Sequence, residues 1–246
     1  MNMFRTIALQ LSAVLFMAEM AYADSPWTGG FGLVVGSPQD EFRQNVDNVG
    51  FGLDAFATHS FGGSAFQLGG SFSFMVYGRD KRSEPFSYTI PDVRVDVITT
   101  NSIVMGHLLA RLQQPTGGLR PYIEGLYGFN YLSTSTTIEN QNASEDDNEI
   151  ASSTNFEDFT SSYGGGAGLM FTIWNASNNV SGSGDFSGKL LLDLGARYLF
   201  GGEAEYLKKG SIQLNDPTSD PTDLIYDVQR SKTDILNFRI GLVFDF

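Results

Sequence analysis

Six large apolar side chains, Leu236, Phe238, Ile240, Leu242, Phe244 and Phe246, stand at every second position of the stretch Ile235 to Phe246. Between them lie Ile235, Asn237, Arg239, Gly241, Val243 and Asp245. A strict period of two is that of a β-strand, because successive side chains point to opposite faces. One face is apolar; the other carries a positive charge, a negative charge and an amide. A strand of a soluble sandwich would turn its polar face to water. A strand of a membrane barrel turns its apolar face to lipid and lines a closed interior with the polar one.

The pattern recurs through the chain. Trp27–Gly36 sets Phe31, Leu33 and Val35 against Gly30, Gly32, Val34 and Gly36. Val49–Ser60 sets Phe51 and Leu53 against Gly50, Gly52, Asp54 and Thr58, and Ala65–Tyr77 sets Phe66, Leu68, Phe72 and Phe74 against Gln67, Gly69, Ser71 and Ser73. Ile98–Gln113 puts His107 and Arg111 inward, Tyr122–Ser133 puts Glu124 and Asn130 there, and Gly188–Phe200 does the same with Asp193 and Arg197. Ser162–Trp174 turns Tyr163, Ala167, Leu169, Phe171 and Ile173 outward. With the last stretch this makes eight strands. Those after the second, fourth and sixth are joined by turns (Phe61–Ser64, Pro115–Gly118, Asn175–Ser187). The other connections, at 37–48, 78–97, 134–161 and 201–234, read as longer polar loops. Short turns on one side and long loops on the other are the wall plan of an outer-membrane barrel. The expected fold is all-β, an eight-stranded antiparallel up-and-down transmembrane β-barrel occupying residues 24–246 as one domain.

Met1 to Ala23 reads as a cleaved secretory signal: Arg5, an apolar centre from Ile7 to Met17, and Ala21-Tyr22-Ala23 as a small-x-small cleavage site. That apolar run is shorter than the roughly 20 residues a membrane helix needs, and no other run matches it. A chain that spans a membrane must then do so as a closed sheet, which satisfies every backbone group in lipid. There is no cysteine, which removes disulfides, thiolate metal sites and a Cys nucleophile. The net charge of −13 argues against nucleic acid. A mean hydropathy of −0.11 is expected where lipid-facing and polar residues alternate.

A terminal aromatic strand closing on Phe246, at the end of such a wall plan, resembles the small Gram-negative outer-membrane β-barrels of the OmpA transmembrane-domain and OmpX/Ail type, often called porin-family proteins. The resemblance is architectural, over about residues 27–246. It implies that Phe238, Ile240, Leu242, Phe244 and Phe246 form the signal read by the outer-membrane assembly machinery. It also implies an outer-membrane location, contact with membrane lipid and lipopolysaccharide, a monomer, no cofactor and no enzymatic activity. Any extracellular ligand would bind through the long loops. Two other readings stay open. A narrow ion or small-solute channel would share the fold. A soluble lipocalin-like barrel would need an apolar interior and a polar exterior, the reverse of the pattern here.

The inward face supplies the candidate site: Asp54, His107, Arg111, Glu124, Asp193, Arg197 and Arg239, with Asp245 at its margin. Buried charges are costly unless paired, and both signs are present on several strands. Eight strands leave room only for side chains or a small ligand, whereas wide water-filled channels need about sixteen. The residues are therefore expected to form a charge network that fills the lumen. A lipid A-modifying enzyme would need a Ser–His pair; His59 precedes Ser60 at a turn, and His107 has no serine that strand reading alone puts beside it. The Gly164-Gly165-Gly166-x-Gly168 run is followed by neither Gly-Lys-Ser/Thr nor a helix, so it is no phosphate loop. Glu145, Asp146, Asp147 and Glu149 are oxygen-rich but lack the Asp-x-Asn/Asp-x-Asn/Asp-Gly order of a calcium loop. They suggest diffuse association with the divalent cations that bridge lipopolysaccharide.

Overall fold

The computed structural model describes residues 27–61, 64–87, 90–140, 149–175, 188–214 and 224–245. Ten strands follow in order: β1 (Trp27–Pro38), β2 (Gly50–Ser60), β3 (Phe66–Ser87), β4 (Ile90–Gln113), β5 (Leu119–Asn140), β6 (Glu149–Asn175), β7 (Lys189–Gly201), β8 (Glu203–Leu214), β9 (Leu224–Lys232) and β10 (Ile235–Asp245). One short helix, α1 (Asp40–Asn45), lies between β1 and β2. Eight of the strands close a ring in the order β1-β10-β7-β6-β5-β4-β3-β2, while β8 and β9 form a separate hairpin. All ring neighbours are antiparallel, and β1 closes on β10 over eleven residue pairs from Thr28↔Asp245 to Pro38↔Ile235. Closure leaves these strands without an open edge through the ring, the condition for a sheet to sit in lipid.

The outer surface is apolar on every strand of the ring. Leu33, Phe51, Leu108, Ile123 and Tyr127 are 60–72% exposed. Phe72, Tyr163, Leu194 and Phe238 are exposed with them. Rings stack across this surface, Phe31 on Phe244, Phe129 on Phe159 and Tyr163 on Phe200. A soluble barrel could not leave so continuous an apolar face in water. The chain folds as a transmembrane β-barrel, and the calyx reading fails on this exterior.

Three of the long loops read from sequence are mostly strand. β3, β4, β5 and β6 run for 22, 24, 22 and 27 residues, against the roughly 9–11 that cross a bilayer. β1, β2, β7 and β10 have 12, 11, 13 and 11. The extra length of β3–β6 continues above the ring as a four-stranded sheet taking in most of 78–97 and 134–161. The reason is chemical. Most of its residues are polar on both faces, so the apolar alternation that marks the wall is missing, although Val95 and Ile98 of β4 are buried. Hydroxyl pairs across strands hold it instead: Thr99 with Thr136 at 3.3 Å, Thr137 with Ser152 at 3.3 Å, and Thr134 donating to Asn101 at 2.9 Å. The third, residues 201–234, is the β8–β9 hairpin with its two short connections to the ring.

Candidate functional site

The inward side chains of the ring meet in the lumen. Arg111 Nη2 donates to Glu124 Oε2 at 2.7 Å, and Arg197 Nε donates to Glu124 Oε1 at 2.6 Å. Arg197 Nη1 reaches Asp54 Oδ2 at 3.0 Å; Arg239 Nη1 takes the other oxygen of Asp54 at 3.0 Å, and its Nη2 lies 2.8 Å from Asp193 Oδ2. Arg111, Glu124, Arg197, Asp54, Arg239 and Asp193 are thus one chain of five contacts alternating in sign, drawn from β2, β4, β5, β7 and β10. Each of the six is buried. Three guanidinium groups face three carboxylates, so the chain is electroneutral, as burial in low dielectric demands.

Register explains how residues on separate strands touch. Arg111, Glu124, Gly166 and Arg197 stand opposite one another across β4, β5, β6 and β7. Gly166 leaves the inner wall bare between Glu124 and Arg197; a Cβ there would meet Arg197 Cγ at 2.9 Å and Glu124 Oε1 at 3.3 Å. A second row runs Tyr122, Gly168, Gly195, Arg239 across β5, β6, β7 and β10. The Tyr122 ring lies over both glycines, so that Arg239 Nη2 donates to its hydroxyl at 2.8 Å and the hydroxyl donates to Asp193 Oδ1 at 2.9 Å. A third runs Ser73, Asp54, Gly32, Gly241, Asp193 across β3, β2, β1, β10 and β7, with Ser73 donating to Asp54 at 2.6 Å. Glycine on the intervening strands is what lets long side chains lie flat across the lumen.

The inner face is not uniformly polar, as the strand pattern suggested. Phe56, Met75, Met105, Leu109, Met170 and Leu191 point inward and are at most 3% exposed. Phe56 belongs to the site: the Arg111 guanidinium lies 4.3 Å from its ring centroid and that of Arg239 4.8 Å, while Arg111 also sits 4.5 Å from the Tyr122 ring. Aromatic faces therefore stabilise the cations on the sides that the carboxylates leave open. Sequence reading leaves out Phe56 and Tyr122, and gives inward Ser73 no role, because it searches the inner face for charge; the parity of each strand would have found the two rings. Toward the end with the short turns, Arg120 Nη1 pairs with Asp245 Oδ2 at 2.7 Å, and Thr28 donates to the other Asp245 oxygen at 3.1 Å.

His107 stands apart from the ion pairs. Its Nε2 is 3.1 Å from Ser162 Oγ, reached across Gly128, which lies between them in register. The register thus supplies the serine that strand reading could not, but both residues are buried in the lumen, away from the lipid-facing surface. His59 instead packs edge-on between Trp27 and Phe61, at centroid distances of 4.9 and 5.1 Å. On β10, Phe238, Ile240 and Phe244 are exposed outward at 53%, 50% and 39%, and Leu242 is half-buried. Phe246, the signal segment 1–23 and the acidic Glu145, Asp146 and Asp147 lie outside the described residues; Glu149 begins β6. Among the described residues no group of three or more His, Asp or Glu side chains could hold a metal ion.

No protein-family model matches the chain, and no curated protein matches it. Among solved structures it is similar to Ail, the attachment invasion locus protein of Yersinia pestis, determined in complex with the heparin analogue sucrose octasulfate. The two are 12% identical, with 91% of this chain and 100% of that chain covered and a TM-score of 0.40. It is similar also to neisserial surface protein A, NspA, at 10% identity over 89% of this chain and 96% of that one, with a TM-score of 0.41.

Proposed function

We propose that this chain is a monomeric outer-membrane protein without enzymatic activity, exported with removal of its first 23 residues, whose lumen is closed and whose parts above the ring meet the environment. The observation that carries this reading is the alternating ion-pair chain from Arg111 to Asp193. It spans five strands, is electroneutral and is buried, inside a ring whose exterior is apolar. An eight-stranded ring has an interior that side chains can fill, and here long arginines crossing above glycines do so. The apolar belt holds the ring in lipid, and the outward face of β10 serves its recognition by the assembly machinery. The four-stranded extension and the acidic stretch around Glu145 offer polar surface to lipopolysaccharide, to its bridging cations or to an extracellular ligand.

A narrow channel is the second reading. Arg111 Nη1, Arg197 Nη2 and Arg239 Nε are buried donors without a protein partner, which is what a hydrated path past the arginines would present. The Ser162–His107 pair supports no third, enzymatic reading, because no lipid substrate reaches it through the filled lumen. Two measurements decide. The unboiled protein should migrate differently from the boiled protein on a detergent gel, as a closed barrel does. In planar bilayers it should show no steady conductance. Regular single-channel steps would replace the closed-lumen reading with the channel, and absence of a heat-dependent shift would remove the barrel from the membrane altogether.

A further inference from the structure

Helix α1 and strands β8 and β9 do not stand away from the ring. β8 and β9 leave the wall between β7 and β10, yet β8 packs against β6, β5, β4 and β3. In a ring of eight, β3 is the strand diametrically opposite β7, so β8 crosses the full width of the mouth. Ala204 and Tyr206 face inward from it, within the buried core, and are 2% and 1% exposed. From the other side α1 brings Phe42, also buried, edge-on against Tyr206 at 5.1 Å and against Tyr77 on the inner wall of β3 at 5.7 Å. Asn45 donates to the Tyr206 hydroxyl at 3.1 Å, and that hydroxyl shares a 2.7 Å hydrogen bond with Ser231 of β9.

The hairpin is bent over at two short connections. Gly202 alone separates β7 from β8, and Thr233 with Asp234 separates β9 from β10. The bend is pinned by Gly202 N–H donating to Ser161 O at 2.8 Å, Gly201 N–H to Asp234 Oδ1 at 2.9 Å, and Gln39 N–H to Asp234 O at 2.8 Å. Residues at positions 201 and 202 must be small, since a Cβ at either would collide with Thr233 or Thr160. Exposed polar contacts add to these, with Lys232 N–H donating to Glu41 at 3.2 Å, Glu205 N–H to Asp158 at 2.7 Å and the Tyr198 hydroxyl to Asp40 at 2.9 Å.

From this geometry we propose that α1 and the β8–β9 hairpin form a lid that closes the outer mouth against solutes, hinged at Gly201–Gly202 and Thr233–Asp234. The lid and the ion-pair chain are separate: the lid is held by Phe42, Tyr77 and Tyr206, and none of these touches the six charged residues. That the lid is a second barrier, in series with an inner one, rests on the closed-lumen reading; that it closes the mouth does not.

The chain contains no cysteine, so a single introduced thiol reports on one place. Ser162→Cys puts it on the inner wall, under the lid and four residues nearer the mouth than Gly166. The full chain is refolded into lipid vesicles and treated from outside with a membrane-impermeant maleimide. With the lid intact the thiol should label slowly. With residues 204–231 replaced by a short Gly/Ser linker, labelling should become at least about tenfold faster, because local opening is no longer required. Phe42→Ala combined with Tyr206→Ala should accelerate it in the same direction if the shortened variant does not give a folded, heat-modifiable band. Equal labelling rates in all three proteins would overturn the lid. Conductance of the lid-shortened protein tests the inner barrier by itself: silence with fast labelling supports two barriers in series, whereas steady conductance with fast labelling leaves the lid standing and removes the closed-lumen reading.

Discussion

Glu124 and Asp54 are the two carboxylates that each join two arginines of the lumen chain: Glu124 accepts from Arg111 and Arg197, Asp54 from Arg197 and Arg239. Glu124→Ala would leave the Arg111 and Arg197 guanidinium groups buried with one partner fewer. Breaking a buried pair on one side costs about 3–5 kcal/mol, and that loss should appear as a lowered urea midpoint for the barrel refolded in vesicles. Arg230 and Glu203 are as close, at 2.8 Å, but both are exposed; Arg230→Ala should change stability by no more than about 1 kcal/mol. The glycines give a parallel contrast. A methyl at Gly168 would strike the Tyr122 hydroxyl and dislodge the group that joins Arg239 to Asp193, so Gly168→Ala should cost roughly 1–3 kcal/mol. Gly125 has open space around its Cβ direction, and Gly125→Ala should be neutral in the same measurement.

Elements were legible in proportion to how strongly one of their faces is apolar. β1, β2, β7 and β10 can be read to within two residues, since each is wall along its whole length. The inward parity of Asp54, Arg111, Glu124, Asp193, Arg197 and Arg239 follows from the same period, but who touches whom does not: pairing is set by register between strands far apart in sequence, such as Asp54 with Arg239. The upper halves of β3–β6 were invisible because Ser133 to Thr137 and Ser152 to Thr154 are polar on both faces. The β8–β9 hairpin was hidden because its alternation is short, not its strands: Glu203-Ala204-Glu205-Tyr206 alternates with only two inward residues, and the pairing shifts between Leu207 and Ile212. Hydrogen exchange separates strand from loop here. Thr136 and Thr137 on β5 are flanked by β4 and β6, so their amides should be protected. Above Ser162, β6 pairs in register with β5 alone, so protection across 152–154 should be weaker than in β5. Rapid, uniform exchange over 133–139 would return that stretch to a loop.

For the whole molecule, the decisive property is the inversion of polarity between wall and lumen. The eight lumen charges described above, Arg111, Arg120, Arg197 and Arg239 against Asp54, Glu124, Asp193 and Asp245, sum to zero and contribute nothing to the −13 of the chain. The belt is the part that lipid must tolerate, and a single substitution there distinguishes lipid from water. Leu108 is 72% exposed on the outer face of β4 and touches little of the protein. In water, Leu108→Arg would be a surface change within about 0.5 kcal/mol of neutral. In a bilayer the same arginine costs about 2–4 kcal/mol near the midplane. Its neighbour cannot make the distinction, since Leu109 is buried in the lumen and an arginine there would be destabilising in either medium. Thr154→Arg, on the exposed part of β6 above the ring, controls for added charge and should be silent. The expected result is a lowered urea midpoint in vesicles for Leu108→Arg alone of the two outward variants. If both behave like the parent protein, the outer face of β4 does not meet lipid, and the apolar exterior must be covered by something else.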